Sequence, residues 1–263
     1  MKSFGDLARK TPLFWCLSLL LLSAAFHPAL GISSSWTIAA TQFAFLPLLL
    51  WLGFGCFPTL PWALPAYAIA LELFLALPLH LVLLYLPLVV NTLLNFDSTN
   101  DIQNTWSSYL GVFREEFTKI VPVLILYKRL VSSSNLKGAL AVGFFSGLTF
   151  GCFESFVTSN NYSFSEIENV TRGMWILFVR TLFFPVIVHA LLTAIAAYIV
   201  VYFGQKYSLL VGCILALFST SALHIAVNKL PPYRVLLGFV FIAVFSTLHY
   251  LSNNVDSNSP ENP

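Results

Sequence analysis

Long uninterrupted apolar segments run through most of the sequence, and they leave the chain few ways to fold. Only helices and closed barrels satisfy their backbone hydrogen bonds inside a bilayer. Barrel strands alternate apolar and polar residues, whereas these runs are continuous over about 18 residues or more. Only 9% of the residues are charged. The sequence therefore predicts an all-α fold, a polytopic transmembrane helix bundle. The predicted segments are 12–31, 36–53, 59–95, 111–130, 138–158, 174–203, 208–228 and 234–251.

Basic residues predict the orientation, because they concentrate on the cytoplasmic side of membrane proteins. They precede the first segment or lie in two later connections: Lys2, Arg9, Lys10, Lys128, Arg129, Lys137 and Lys206. All of them are cytoplasmic only if 59–95 crosses the membrane an odd number of times. We therefore favour one crossing and seven spans over two short helices and eight spans. The N-terminus is then cytoplasmic, and the first segment is expected to remain as a helix instead of being removed as a signal peptide.

The polar segments 96–110 and 159–173 lie on the outer side in this topology. The second contains "NYS" and "NVT", which match the acceptor pattern for N-glycosylation. Residues 252–263 are predicted to form a disordered polar tail. Neither a basic nucleic-acid tract nor a glycine-rich phosphate loop is present in the sequence, so no nucleic-acid partner is expected.

Ionisable residues inside the predicted spans need a reason, because each costs about 2.5 to 3.5 kcal/mol at the centre of a bilayer helix. Glu115, Glu116 and Lys119 are spaced so that all three can share one helix face. Taken alone, such residues indicate an ion pair near a helix end. Glu72 and His80 in the first half are interpreted as structural hydrogen-bonding residues.

A glycine stripe marks the next helix. Gly143, Gly147 and Gly151 recur every four residues, and Glu154 follows on the same face. Small residues at this spacing let another helix approach closely. The stripe predicts that Glu154 faces a neighbouring helix and not lipid.

Two later helices add histidines. His189 lies on one face with Thr193 and Ala197, and His224 lies on one face with Ser221 and Asn228. Arg180 faces the same site as His189 only if a kink at Pro185 redirects it. In the predicted topology these groups and the glutamates all lie in the outer half of the membrane. This convergence predicts one functional site.

Four motifs in order on successive helices resemble the PrsW family of intramembrane proteases. They are EEFTK at 115–119, FE at 153–154, Arg180 with HALLTAIAAY at 189–198, and HIAVN at 224–228. The family is grouped with the CAAX prenyl endopeptidases and the bacteriocin-immunity type membrane proteins. The resemblance covers about 113–228 and implies a protease core at 96–251 after N-terminal helices of unclear role at 1–95. Asn228 departs from the family, which more usually has an aspartate there.

The resemblance implies peptide-bond cleavage in or beside the membrane, and the residues allow two versions of the chemistry. In the metal-free version, which we favour, Glu115 or Glu116 activates water together with His189. His224 or Asn228 then donates hydrogen bonds to the oxyanion. No cofactor is needed in this version.

The second version uses a divalent metal such as zinc, held by Glu154, His189 and His224, with Glu115 or Glu116 as the base. Both versions draw on one predicted set of catalytic residues. The set is Glu115, Glu116, Lys119, Glu154, Arg180, His189, His224 and Asn228.

The expected partners are the lipid bilayer and a membrane-protein substrate, such as a single-span protein, cut near the outer surface. One alternative is a catalytically silent scaffold or immunity-type factor that keeps the polar cluster for packing. Another is an ion-coupled transporter, which predicts an inverted repeat that the sequence does not display.

Overall fold

The computed structural model describes residues 55–57, 60–61, 63–93, 101–132, 135–159, 184–230 and 233–257. These residues are almost entirely helical, with no strand among them, which confirms the all-α prediction. The predicted segments 12–31 and 36–53 lie outside them, as does Arg180. The helices are α1 (Ala63–Leu71), a π-helical turn (Glu72–Ala76), α2 (Leu77–Leu93), α3 (Asp101–Ser132), α4 (Leu136–Ser159), α5 (Phe184–Lys206), α6 (Leu209–Lys229) and α7 (Arg234–Ser257).

Within the predicted segment 59–95, residues 63–93 form one uninterrupted helix from α1 through the π-helical turn into α2. It does not break into two short helices, so its form suits a single crossing. The π-helical turn lies just before Pro78. Proline has no N–H to donate and its ring crowds the preceding turn, which disrupts the regular hydrogen-bond ladder at this point.

Five helices among the described residues are long and apolar enough to cross a membrane. They are Ala63–Tyr85, Leu136–Ser155, Pro185–Lys206, Leu209–Lys229 and Leu236–Asn253. The helix α3, which contains the predicted span 111–130, is not among them because it holds several charged residues. The chain is therefore a multi-pass integral membrane protein. The described residues give five such helices, and the count of seven or eight spans for the chain stays a prediction.

Two helix boundaries differ from the prediction. The segment 96–110 is helical from Asp101 onward, so it is not wholly a loop. Residues 101–110 contain neither proline nor glycine, and a helix that already exists extends at little further cost. By the same reasoning α7 continues to Ser257, so residues 252–257 are helical where the sequence predicts a polar tail.

The chain divides into two compact units, and the predicted boundary between an N-terminal part and a protease core at residue 95 stays a prediction. One unit comprises Leu60–Phe150 and Val188–Pro263, and the other comprises Met1–Thr59 and Gly151–Ile187. The helix formed by α1, the π-helical turn and α2 belongs to the same unit as α3, α6 and α7. Its buried polar residues His80 and Glu72 contact Thr118 on α3 and Ser146 on α4.

The glycine stripe on α4 brings this helix against α5, as predicted. A Cβ atom on Gly143 would collide with the Thr193 carbonyl and the Ala197 side chain. A Cβ atom on Gly147 would collide with the His189 carbonyl and the Thr193 hydroxyl. The two glycines therefore set how closely the His189 turn of α5 approaches α4.

Replacing Gly147 with alanine is expected to lower the free energy of unfolding by about 1 to 3 kcal/mol, because the added methyl meets backbone that cannot rotate away. Gly111→Ala is the matched control, since the nearest atom to its Cβ is Arg114 Nη2 at 3.8 Å. That change should be neutral or stabilising by about 0.5 to 1 kcal/mol. Denaturant unfolding in detergent micelles measures both, and equal effects would contradict the close approach.

Candidate active site

Three buried side chains from three helices meet at one point. Glu116 on α3, His189 on α5 and His224 on α6 each offer a ligand atom, and these atoms all lie within 4.8 Å of one another. Glu116 is fully buried, while His189 and His224 are only 3% and 4% exposed. The three residues are far apart in sequence, so only the packing of the helices brings them together.

Lys119 lies at the centre of this cluster and is fully buried. Its ammonium donates to Glu116 Oε1 at 2.5 Å, one helical turn away, and contacts His189 Nδ1 at 2.8 Å. An ammonium group can only donate, so His189 accepts at Nδ1. Phe150 covers the pair, with its ring centroid 5.0 Å from Lys119 Nζ and 5.5 Å from the His189 ring. The aromatic face adds a cation–π attraction to the buried ammonium.

His224 connects the two glutamates. Its Nδ1 lies 2.8 Å from Glu116 Oε1, and a carboxylate accepts, so His224 donates through Nδ1. Its Nε2 lies 3.9 Å from Glu115 Oε2. The Glu115 side chain is 21% exposed, whereas that of Glu116 is fully buried. The adjacent glutamates therefore stand in different surroundings, one reachable from outside the cluster and one enclosed by it.

The donor set fits a divalent metal such as zinc, since two imidazoles and one carboxylate are a common catalytic zinc set. Glu116 Oε2 is buried and makes no hydrogen bond within the described part of the chain. It is therefore available as a ligand. Lys119 is a competitor, because it already uses Glu116 Oε1 and His189 Nδ1. A metal held through His189 Nδ1 would take the lone pair that Lys119 now contacts.

The structure brings together five of the eight predicted site residues: Glu115, Glu116, Lys119, His189 and His224. Glu154 is on α4 beyond the boundary between the two units and belongs to the other one, so its assignment as a metal ligand stays a prediction. Among the described residues, the carboxylate that stands with both histidines is Glu116. Asn228 is exposed near the end of α6, and Arg180 lies outside the described residues.

The sequence analysis missed Phe150 and Ser146. Phe150 follows Gly147 by three residues and therefore shares its helix face, a spacing that would have indicated contact with the His189 turn. Ser146 contacts both Glu72 and the Lys119 backbone. No motif marks it. Thr193 and Ser221, on the predicted faces of the two histidines, are fully buried, and their hydroxyls make no hydrogen bond to the residues described.

One protein-family model matches the chain over residues 60–251, and its description is PrsW family intramembrane metalloprotease. No curated protein and no solved structure matches the chain significantly. The family match covers well over half of the sequence and begins before α1, so it includes α1 and α2 as well as the four motifs. The chain therefore belongs to the PrsW family of intramembrane proteases.

Proposed function

We propose that this protein is an intramembrane endopeptidase whose catalytic centre is the cluster of Glu116, His189 and His224. The observation that carries the proposal is the meeting of these three donors, from three different helices, within 4.8 Å in a buried position. Burying ionisable side chains in a membrane protein is costly, and such groups usually serve a reaction or a transport pathway.

We further propose that these three residues hold a divalent metal such as zinc, which replaces the metal-free version as our preferred chemistry. The support is the donor set, the unpaired Glu116 Oε2 and the description of the family. A bound zinc ion makes water acidic enough to supply hydroxide near neutral pH and polarises a carbonyl group. Glu116 takes the place that the sequence analysis gave to Glu154.

Glu115 is the better candidate for the general base. A base must reach a water molecule, and the side chain of Glu115 is partly exposed while that of Glu116 is enclosed. Its Oε2 lies 3.9 Å from His224 Nε2, so the Glu115 carboxylate stands beside one of the proposed metal donors. Before a metal binds, Lys119 holds Glu116 and His189 in place through its two contacts, and it would have to release His189 Nδ1 to a metal that uses that atom. Asn228 and Arg180 keep their predicted places in the catalytic set.

The substrate in this proposal is another membrane protein, such as one with a single span, because the site is enclosed by helices that expose large apolar side chains. Examples of these side chains are Phe74, Leu210 and Phe218. We keep the orientation predicted from the basic residues, with the N-terminus cytoplasmic, the site toward the outer surface and seven to eight spans in the chain. The wider grouping with CAAX endopeptidases also remains part of this proposal.

Zinc content tests the metal. Purified wild-type protein is expected to bind about one zinc ion per chain and to lose peptide hydrolysis after chelation, with recovery on adding zinc. His189→Ala and His224→Ala should lower the zinc content. His249→Ala is the matched control, because His249 stacks on Phe245 and is not one of the three donors.

The outcomes separate the two chemistries. If protein that has lost all zinc hydrolyses peptides as fast as the zinc-containing protein, the metal proposal is wrong. The preferred chemistry would then again be the metal-free version, in which a glutamate and His189 activate water. Stoichiometric zinc without cleavage of any membrane peptide would instead favour the silent scaffold, which keeps the cluster for packing.

A further inference from the structure

A second buried polar contact, between Glu72 and Ser146, lies outside the catalytic cluster of Glu116, His189 and His224. Glu72, in the π-helical turn, is fully buried, and its Oε2 lies 2.5 Å from Ser146 Oγ on α4. Its Oε1 makes no hydrogen bond within the described residues. π-helical turns are rare and frequently occur at functional sites. Neither the catalytic motifs nor the proposed chemistry uses Glu72.

Ser146 also contacts α3, because its Oγ lies 2.7 Å from the carbonyl oxygen of Lys119. A serine hydroxyl has one hydrogen, and a carbonyl oxygen can only accept. An ionised Glu72 could likewise only accept. Two acceptors would then compete for one hydrogen, and one of the two short oxygen–oxygen contacts would have no hydrogen between its atoms.

A proton on Glu72 satisfies both contacts. Glu72 Oε2–H then donates to Ser146 Oγ, and Ser146 donates its own hydrogen to the Lys119 carbonyl. The nearby Lys119 ammonium favours an ionised Glu72 electrostatically. The described hydrogen bonds of that ammonium, however, go to Glu116 and His189. An ionised Glu72 would also leave Oε1 as a buried charged oxygen without a donor, which is costly.

The turn of α3 that contains Lys119 has a second contact with the helix formed by α1, the π-helical turn and α2. His80 on α2 contacts Thr118 Oγ1 at 3.4 Å and stacks edge-on against Phe150 with ring centroids 5.1 Å apart. Two adjacent residues of α3 are thus held by polar contacts: Thr118 by His80, and the Lys119 carbonyl by Ser146. The Lys119 side chain contacts Glu116 and His189 in the catalytic cluster.

We propose that Glu72 is held as a neutral carboxylic acid and, through Ser146, fixes the turn of α3 that carries Lys119. Glu72 is a positioning residue in this arrangement, since it touches neither substrate nor the three metal donors. Its protonation is independent of the function proposed above, and only its effect on hydrolysis rests on that function.

Infrared spectroscopy of the full chain in lipid at neutral pH tests the proton directly. Ordinary Asp and Glu side chains are ionised at neutral pH. The C=O stretching band of a protonated carboxyl group is therefore separate from the bands of these carboxylates. The band is expected in wild type, absent in Glu72→Gln, and shifted in Ser146→Ala, which removes the acceptor of the Glu72 proton. Loss of carboxylate bands in Glu72→Gln, with no change in the protonated band, would overturn the proposal.

Two substitutions test the positioning. Glu72→Gln retains an N–H donor for Ser146, whereas Glu72→Leu has similar size and no donor. The leucine variant is expected to lower kcat by about tenfold with little change in KM, and the glutamine variant should stay close to wild type. Glutamine and leucine variants that fall equally would show that charge is required. A fully active leucine variant would exclude positioning.

Hydrogen–deuterium exchange gives the same comparison without turnover. Amides of the α3 turn around Lys119 should exchange faster in Glu72→Leu than in Glu72→Gln or wild type. If no peptide is hydrolysed by any variant, the spectrum and the exchange still decide the inference. Unchanged exchange in the leucine variant would overturn it, and the failed hydrolysis would count only against the proposed function.

Discussion

Glu115→Gln is expected to remove most of the peptide hydrolysis while leaving the zinc in place. Glutamine keeps the size of the side chain but cannot take a proton from water, and the loss of a general base lowers kcat by about 100-fold to 10,000-fold. The measurement is cleavage of a panel of fluorogenic single-span membrane peptides by purified protein, with zinc quantified on the same sample. KM should change little, since Glu115 is proposed to act on water and not to bind the peptide.

Glu116→Gln is the companion variant, and it should lose zinc as well as hydrolysis. The two glutamates are adjacent in sequence but differ in exposure and in partners, so one experiment assigns their roles. If Glu115→Gln loses zinc and Glu116→Gln retains it, the two assignments must be exchanged. If both variants hydrolyse the peptides as wild type does, the cluster is not the catalytic centre.

Lys119→Met is expected to be the most destabilising of these substitutions. It leaves the carboxylate of Glu116 buried with only His224 beside it. Removing one partner of a buried ion pair costs about 3 to 5 kcal/mol in the free energy of unfolding. Adding Glu116→Gln removes the stranded charge, so the double variant should be more stable than Lys119→Met alone.

Denaturant unfolding of wild type, both single variants and the double variant in detergent gives the coupling energy of the pair. Lys206→Met is the control, because Lys206 is exposed and such changes usually stay within about 0.5 kcal/mol. Additive effects of the two single changes would contradict the pairing. Lys119→Met should also bind zinc more tightly per folded chain, since the competitor for Glu116 Oε1 and His189 Nδ1 is gone.

Much of the candidate site could be predicted from sequence because its chemistry is concentrated in rare residues. Charged and imidazole groups are so unfavourable in apolar helices that Glu116, His189 and His224 stood out one by one. Their helical spacing then predicted which residues share a face, and the structure bears this out for Glu116 with Lys119. The glycine stripe on α4 likewise predicted a close helix contact.

The sequence was less informative about which groups meet. It assigned Glu154 as the carboxylate ligand of a metal and Glu115 or Glu116 as the base, because helix periodicity does not specify the rotation of one helix against another. Glu72 was interpreted as a structural hydrogen-bonding residue, and the sequence did not identify its partner on α4. Its partner Ser146 is an ordinary serine in a glycine-rich helix, and nothing in its local sequence distinguishes it from other small residues there.

The sequence by itself determined that the chain is an all-α, multi-pass membrane protein of the PrsW family, and which residue types form its candidate site. These conclusions follow from the composition and order of residues, which do not depend on how the helices pack. The tertiary structure decided that Lys119 lies between Glu116 and His189 and that the adjacent glutamates differ in exposure. It also decided that Ser146 contacts both Glu72 and the carbonyl oxygen of Lys119. Each of these depends on contacts between residues distant in sequence, and such contacts exist only once the helices have packed.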